Sequence, residues 1–254
     1  MKNIYLKSIV IISTLFVLFQ YFNQRINYPR VALVEEVIDG DTILLESGRL
    51  LRLLGLNTPE TKINIAGEWK EKKSIWGERA YLFSENSLKN KNIRIEYDRE
   101  KKDIYGRLLG YVFLEDNFIN QALLSEGLAV IDIRYPNFKY LDQLSLVFKE
   151  AKERGKGLWS DFKIIGPKDV SEYEGEVIAV EGRVIDVYNS EKLLFFLLPS
   201  EFKFVIFKEG SPFFKNKELV VLKGEIIRVS GMVKRYKGSY QMVIHHPYQL
   251  EVLR

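Results

Sequence analysis

The chain contains no cysteine and only two histidines, adjacent at His245 and His246. Without a thiol there is no disulfide, no thiol nucleophile, no Cys-ligated metal site and no lipid-modified cysteine anchor. Two histidines leave few ways to build a His-based metal centre or general base. Catalysis must then run on carboxylates, Lys, Arg, Tyr or an oxygen-bound metal. Excess charge is also lacking. The 254 residues carry 38 Lys and Arg against 34 Asp and Glu, a net +4, and that excess lies in Lys2, Lys7, Arg25 and Arg30. Residues 31–254 are neutral, which excludes a uniformly basic nucleic-acid coat and leaves only a local patch for polyanions.

What is present begins with an apolar run. Lys2 and Lys7 precede Ile9 to Phe19, the charged-then-apolar order of an export signal, and Tyr21 and Phe22 extend it. Between Gln20 and Arg30 no Ala, Gly or Ser offers a cleavage site. Residues 1–30 are therefore expected to be an uncleaved signal-anchor, a single-pass helix in the cell membrane with the rest of the chain outside, secretion being the alternative. With 46% apolar and 28% charged residues, the remainder has the composition of one or two folded domains.

Residues 31–162 read as an α+β unit. Ile93, Ile95 and Tyr97 alternate with Arg94, Glu96 and Asp98, the period of a half-buried strand. Leu108 to Leu114 is almost wholly apolar, so both its faces should be covered. Helices are expected from about Trp76 to Lys89, from about Phe118 to Gly127, and on the Leu141, Leu144, Phe148, Ala151 stripe ending at Gly155. Residues 163–174, with Gly166-Pro167, look like a linker. Residues 175–254 read as five strands, with Lys237-Gly238-Ser239 as a hairpin turn, and suggest a second small barrel.

Three segments of the first unit concentrate acids and arginines among turn residues: Ile38-Asp39-Gly40-Asp41-Thr42, Leu51-Arg52-Leu53-Leu54-Gly55-Leu56-Asn57-Thr58-Pro59-Glu60, and Asp103-Ile104-Tyr105-Gly106-Arg107. Alone, the first and third are ordinary hairpin turns. Arg52 shares a strand face with Leu50 and Leu54, so its guanidinium needs an anionic partner, either a ligand or an internal one such as Asp41.

In this order the segments resemble the staphylococcal nuclease (thermonuclease) family, and Gly157-Leu158-Trp159-Ser160 extends the likeness, which covers residues 31–160. The resemblance implies a five-stranded OB barrel with three helices that cleaves DNA and RNA with Ca²⁺. It implies that Asp41, the Asn57 side-chain oxygen and the Thr58 carbonyl hold the cation, as suits a hard ion taking oxygen ligands and water, with Asp39 standing behind Asp41. Glu60 would take a proton from the attacking water. Arg52 and Arg107 would grip the phosphate. Tyr105 or Tyr135 would seat a nucleotide, a packed core position being the competing reading. Many members have Asp where this chain has Asn57, so a weaker metal site is expected.

The stretch Gly231 to Gln241 resembles OB folds of the anticodon-binding type. Lys223, Arg228, Lys234, Arg235 and Lys237 make a local basic patch there, with Tyr236 and Tyr240 as stacking platforms. A lysine-protected strand edge is the competing reading. His245 and His246 point to opposite faces of a strand and are read as structural. The expectation is thus a monomeric, membrane-anchored, calcium-dependent nuclease acting on DNA or RNA, against a silent pair of OB barrels that only binds. The joint presence of Asp41, Arg52, Glu60 and Arg107 favours the enzyme.

Overall fold

The computed structural model describes residues 28–65, 68–71, 74–208, 214 and 219–253. The first unit opens with a meander of β1 (Val31–Asp39), β2 (Thr42–Leu45) and β3 (Leu50–Leu53). Then come β4 (Gly55–Asn57), a hairpin of β5 (Lys62–Ile65) and β6 (Glu68–Glu71), α1 (Ile75–Leu88), β7 (Asn92–Glu96), β8 (Leu108–Leu114), β9 (Asn117–Phe118), α2 (Ile119–Ser125), β10 (Val130–Asp132) and α3 (Leu141–Glu153). β1 pairs with β7, β7 with β8, and β8 in parallel with β3. Strands β1, β2, β3, β7 and β8 therefore close into the expected five-stranded barrel with three helices.

Sequence pattern explains the packing. Ile93 and Ile95 of β7 are buried, and β8 is buried from Leu108 through Phe113. On α3, Leu144, Phe148 and Ala151 recur at helical spacing and enter the barrel core. Each fully buried Leu or Phe contributes about 1.5–3 kcal/mol.

Helix α1 positions the site. Ser74 caps it, its hydroxyl accepting from the Gly77 N–H at 3.2 Å. Three of its four buried residues, Gly77, Ala80 and Ser84, are small, which lets the backbone come close to two site loops. A Cβ at Gly77 would lie 2.9 Å from the Pro59 carbonyl oxygen, and one at Gly40 would lie 2.7 Å from Ala80. The Ser84 hydroxyl donates to the Gly40 carbonyl at 2.7 Å.

Buried Asn120 on α2 fixes the approach to β4: its Oδ1 accepts from the Val112 N–H and its Nδ2 donates to the Leu54 carbonyl, both at 2.8 Å. Asn120→Ala leaves both backbone groups unpaired, at about 1–3 kcal/mol each. The expected loss of about 2–4 kcal/mol is read by urea denaturation; a loss below 1 kcal/mol would mean water replaces the side chain.

The second unit comprises β11 (Ile164–Ile165), β12 (Val177–Arg183), β13 (Asp186–Asn189), β14 (Leu193–Leu197), β15 (Lys203–Phe207), β16 (Ile226–Met232), β17 (Lys234–Tyr236), β18 (Ser239–Val243) and β19 (Leu250–Leu253). They lie in two sheets, ordered β11-β12-β16-β19 and β13-β14-β15-β18-β17, around a core containing Val180, Phe196, Phe204, Ile227, Val229 and Met242. Lys237 and Gly238, both at positive φ, form the turn between β17 and β18. Residues 163–174 are folded against this unit: β11 pairs with β12, and Val170 enters the second core. The units share a seam, since Val177 and Met232 pack into the first core and Lys152 Nζ donates to Glu251 at 2.6 Å.

The membrane-spanning expectation is corrected. Among the described residues no helix is long and apolar enough to cross a membrane, and the run from Ile9 to Phe19 lies outside the described residues.

Candidate active site

The β1–β2 turn, the end of β3, the end of β4 and the loop after it bring five of the expected residues together. Asp41 is 2% exposed. Its Oδ2 accepts from the Thr58 N–H at 2.9 Å and its Oδ1 from the Thr42 hydroxyl at 3.1 Å. Arg52, opposite Thr42 on β3, makes an ion pair with Asp41 and donates to Asn57 Oδ1 at 2.6 Å. The fully buried face of β3 is that of Leu51 and Leu53, so Arg52 projects from the other face toward this acid cluster. Asp39 closes the turn by accepting from the Asp41 N–H at 3.0 Å. Burial, with Asp41 alongside, holds the Asp39 carboxyl well above its usual range.

Glu60 stands at the edge of this cluster. Burial raises its carboxyl above the ordinary glutamate range, and Asp41 adds to the rise; Lys234, Arg52 and Arg107 oppose it. Arg107 is held by Asp103, which accepts its Nε at 2.7 Å and its backbone N–H at 2.9 Å. Tyr105 and Tyr135 are 78% and 55% exposed, so the core reading fails for both; Tyr105 lies beneath the Arg107 guanidinium, 5.6 Å from its ring centre.

The donor set suits a hard cation. Asp41 Oδ1 and Asn57 Oδ1 converge on one positive group, the Arg52 guanidinium, beside the raised acid Asp39. A carboxylate, an amide oxygen and a main-chain carbonyl are the kinds of oxygen donor that a hard ion takes together with water. Among the described residues no three His, Asp or Glu side chains gather into a metal cluster.

On the second unit the basic patch divides. Lys223 pairs with Asp186 at 2.8 Å, and Arg228 pairs with Glu181 at 2.9 Å and Glu251 at 3.3 Å. Lys234, Arg235 and Lys237 remain exposed, and Tyr236 is 54% exposed with Lys237 over its ring, whereas Tyr240 packs partly against the second core.

Sequence reasoning missed a cluster beside Asn57. Arg134 grips Asp132 with two bonds of 2.7 and 2.6 Å, and His245 Nε2 lies 3.1 Å from the same carboxylate. Burial would raise Asp132, but His245, Arg134 and Arg52 overcome it and hold this acid far below its usual range. The alternation Ile131-Asp132-Ile133-Arg134 carried a signal for the first pair. The partnership with His245 is remote in sequence and carried none. His246 instead caps a short helix, accepting from the Tyr248 N–H at 3.3 Å, and burial lowers its pKa to about 4.

A family model described as "Staphylococcal nuclease homologue" matches residues 50–161. The thermonuclease of Staphylococcus hyicus is 38% identical over 132 residues, 50% of this chain and 75% of that protein. The thermonuclease of Staphylococcus intermedius is 36% identical over 163 residues, 59% of this chain and 94% of its own. Endonuclease YncB of Bacillus subtilis is 35% identical over 134 residues, 50% of this chain and 60% of that protein. With the barrel in place, these relatives define a nuclease, a hydrolase of phosphodiester bonds. The chain belongs to the staphylococcal nuclease family. The family match ends at residue 161, before the second unit.

Proposed function

We propose that the protein is a calcium-dependent nuclease of DNA or RNA whose centre is built by the first unit and whose second unit helps hold the strand. Asp41, the Asn57 amide oxygen and the Thr58 carbonyl hold the ion. When bound, it supplies positive charge at the phosphate and an ordered water. Glu60 takes the proton of the attacking water as the water oxygen bonds to phosphorus and the ester oxygen leaves. Arg52 and Arg107 bind the phosphate oxygens on which charge grows. The observation that carries this reading is the connected Asp41–Arg52–Asn57 cluster with Glu60 at its edge. Exposed Tyr105, Tyr135 and Tyr236 give base-stacking surfaces. Residues 31–162 form the nuclease domain, and residues 175–254 a strand-binding domain of OB type that follows a connecting segment.

A calcium titration of cleavage by the native chain and by Asn57→Asp tests the assignment. The variant adds a negative charge at a ligand position without changing side-chain size. Attraction to a divalent ion outweighs the added repulsion from Asp41. The half-saturating calcium concentration should fall about tenfold, on the order of 1.4 kcal/mol, with little change in rate at saturation. Coincident curves would place Asn57 outside the ion's reach.

A further inference from the structure

The second unit meets the first at the nuclease centre itself. At the β16–β17 junction Val233 is fully buried in the second core, so its neighbours Met232 and Lys234 project to the other side, as alternation along an extended chain requires. Met232 packs into the first unit's core, and its sulfur accepts from Asn57 Nδ2 at 3.1 Å. One step earlier in the seam, the Glu60 N–H donates to the Gly175 carbonyl at 3.4 Å. The space left between the units is a cavity of about 50 Å³, lined by Asn57, Asp132, Arg134, Met232, Lys234 and His245 among others. It is too small for a nucleotide, and Lys234 is exposed at its rim.

Lys234 is one of three exposed cations on this stretch, with Arg235 and Lys237, and of the three it is the one that lines this cavity. Arg134, Lys223 and Arg228 are tied to carboxylates, whereas among the described residues no ion pair holds Lys234. Arg52 holds Asn57, and Asn57 and Lys234 line the same cavity. A strand whose cleaved phosphate rests on Arg52 and Arg107 and which continues past Asn57 would bring a neighbouring phosphate toward this ammonium. A flexible point charge suits a backbone phosphate.

We propose that Lys234, delivered by the second unit to the rim of the nuclease centre, binds the strand phosphate adjacent to the one cleaved. The inference rests on the nuclease reading above and adds a substrate contact from outside the family-matched segment.

The test uses the full chain, Lys234→Gln and Lys234→Arg, with a fluorescent single-stranded DNA oligonucleotide. Binding is followed by anisotropy in chelator across a salt series, and cleavage is followed with calcium. Lys234→Gln should weaken binding about tenfold, and its slope of log affinity against log salt should be shallower by about 0.7, the share of one phosphate on a single strand. The loss during cleavage should fall on KM rather than kcat, and Lys234→Arg should restore affinity and slope. Unchanged affinity and slope, or a loss of kcat at unchanged KM, would overturn the proposal. Failure of Lys234→Arg to rescue would also overturn it, in favour of a packing role at the seam. Because binding in chelator needs no cleavage, this result stands apart from whether the native chain cuts.

Discussion

Glu60→Gln lowers the rate of strand cleavage by about 10²- to 10⁴-fold, the usual worth of a positioned general base, while strand binding persists. Gln keeps the volume and the hydrogen-bonding oxygen of the side chain but cannot take a proton from water. The environment of Glu60 adds a pH signature. Its carboxyl is raised by burial, with Lys234, Arg52 and Arg107 opposing the rise, and it acts only when ionised. Activity should therefore fall, as pH drops, in a range above that of an ordinary glutamate. In Glu60→Gln this limb should vanish along with most of the rate. Single-turnover cleavage across a pH series measures both, and a native-like rate in the variant removes Glu60 from the chemistry.

Arg52→Gln should cost about 10³-fold in kcat/KM, toward the upper end for losing one charge-stabilising donor. It should also destabilise the fold. Asp41 is 3% exposed at its side chain and Arg52 17%. Removing one partner of a buried pair costs about 3–5 kcal/mol, and the lower end applies here because Thr58 and Thr42 still donate to Asp41. A divalent ion replaces the missing charge, so calcium should raise the thermal midpoint of Arg52→Gln more than that of the native chain. Equal calcium shifts would mean that Asp41 and Asn57 do not face the ion. Arg52→Lys should recover only part of the rate, because one ammonium cannot reach Asp41 and Asn57 together as the guanidinium does.

Much of the first unit was legible because its signals are local. The Leu141, Leu144, Phe148, Ala151 stripe marked α3, the Ile93 and Ile95 alternation marked β7, and the apolar run from Leu108 marked a strand covered on both faces. Three short segments then placed Asp41, Arg52, Asn57 and Glu60 in one region. What stayed hidden depends on contacts between distant residues. Nothing in Gly231-Met232-Val233-Lys234 shows that Met232 leaves its own unit for Asn57, 175 positions away. The contact of His245 with Asp132 was hidden because Asp132 is carried by the other unit. The second unit's short β17 and terminal β19 are completed by pairing with neighbours rather than by a strong pattern of their own. The basic patch was overcounted because the acids that neutralise Lys223 and Arg228 come from other strands.

The most direct test of the account is cleavage of labelled single- and double-stranded DNA and RNA by the purified chain with calcium, with excess chelator, and with calcium restored. The account predicts phosphodiester cleavage of at least one of these substrates with calcium, its loss in chelator and its recovery when calcium is returned. Binding without cleavage in every condition, or cleavage indifferent to the chelator, would contradict it.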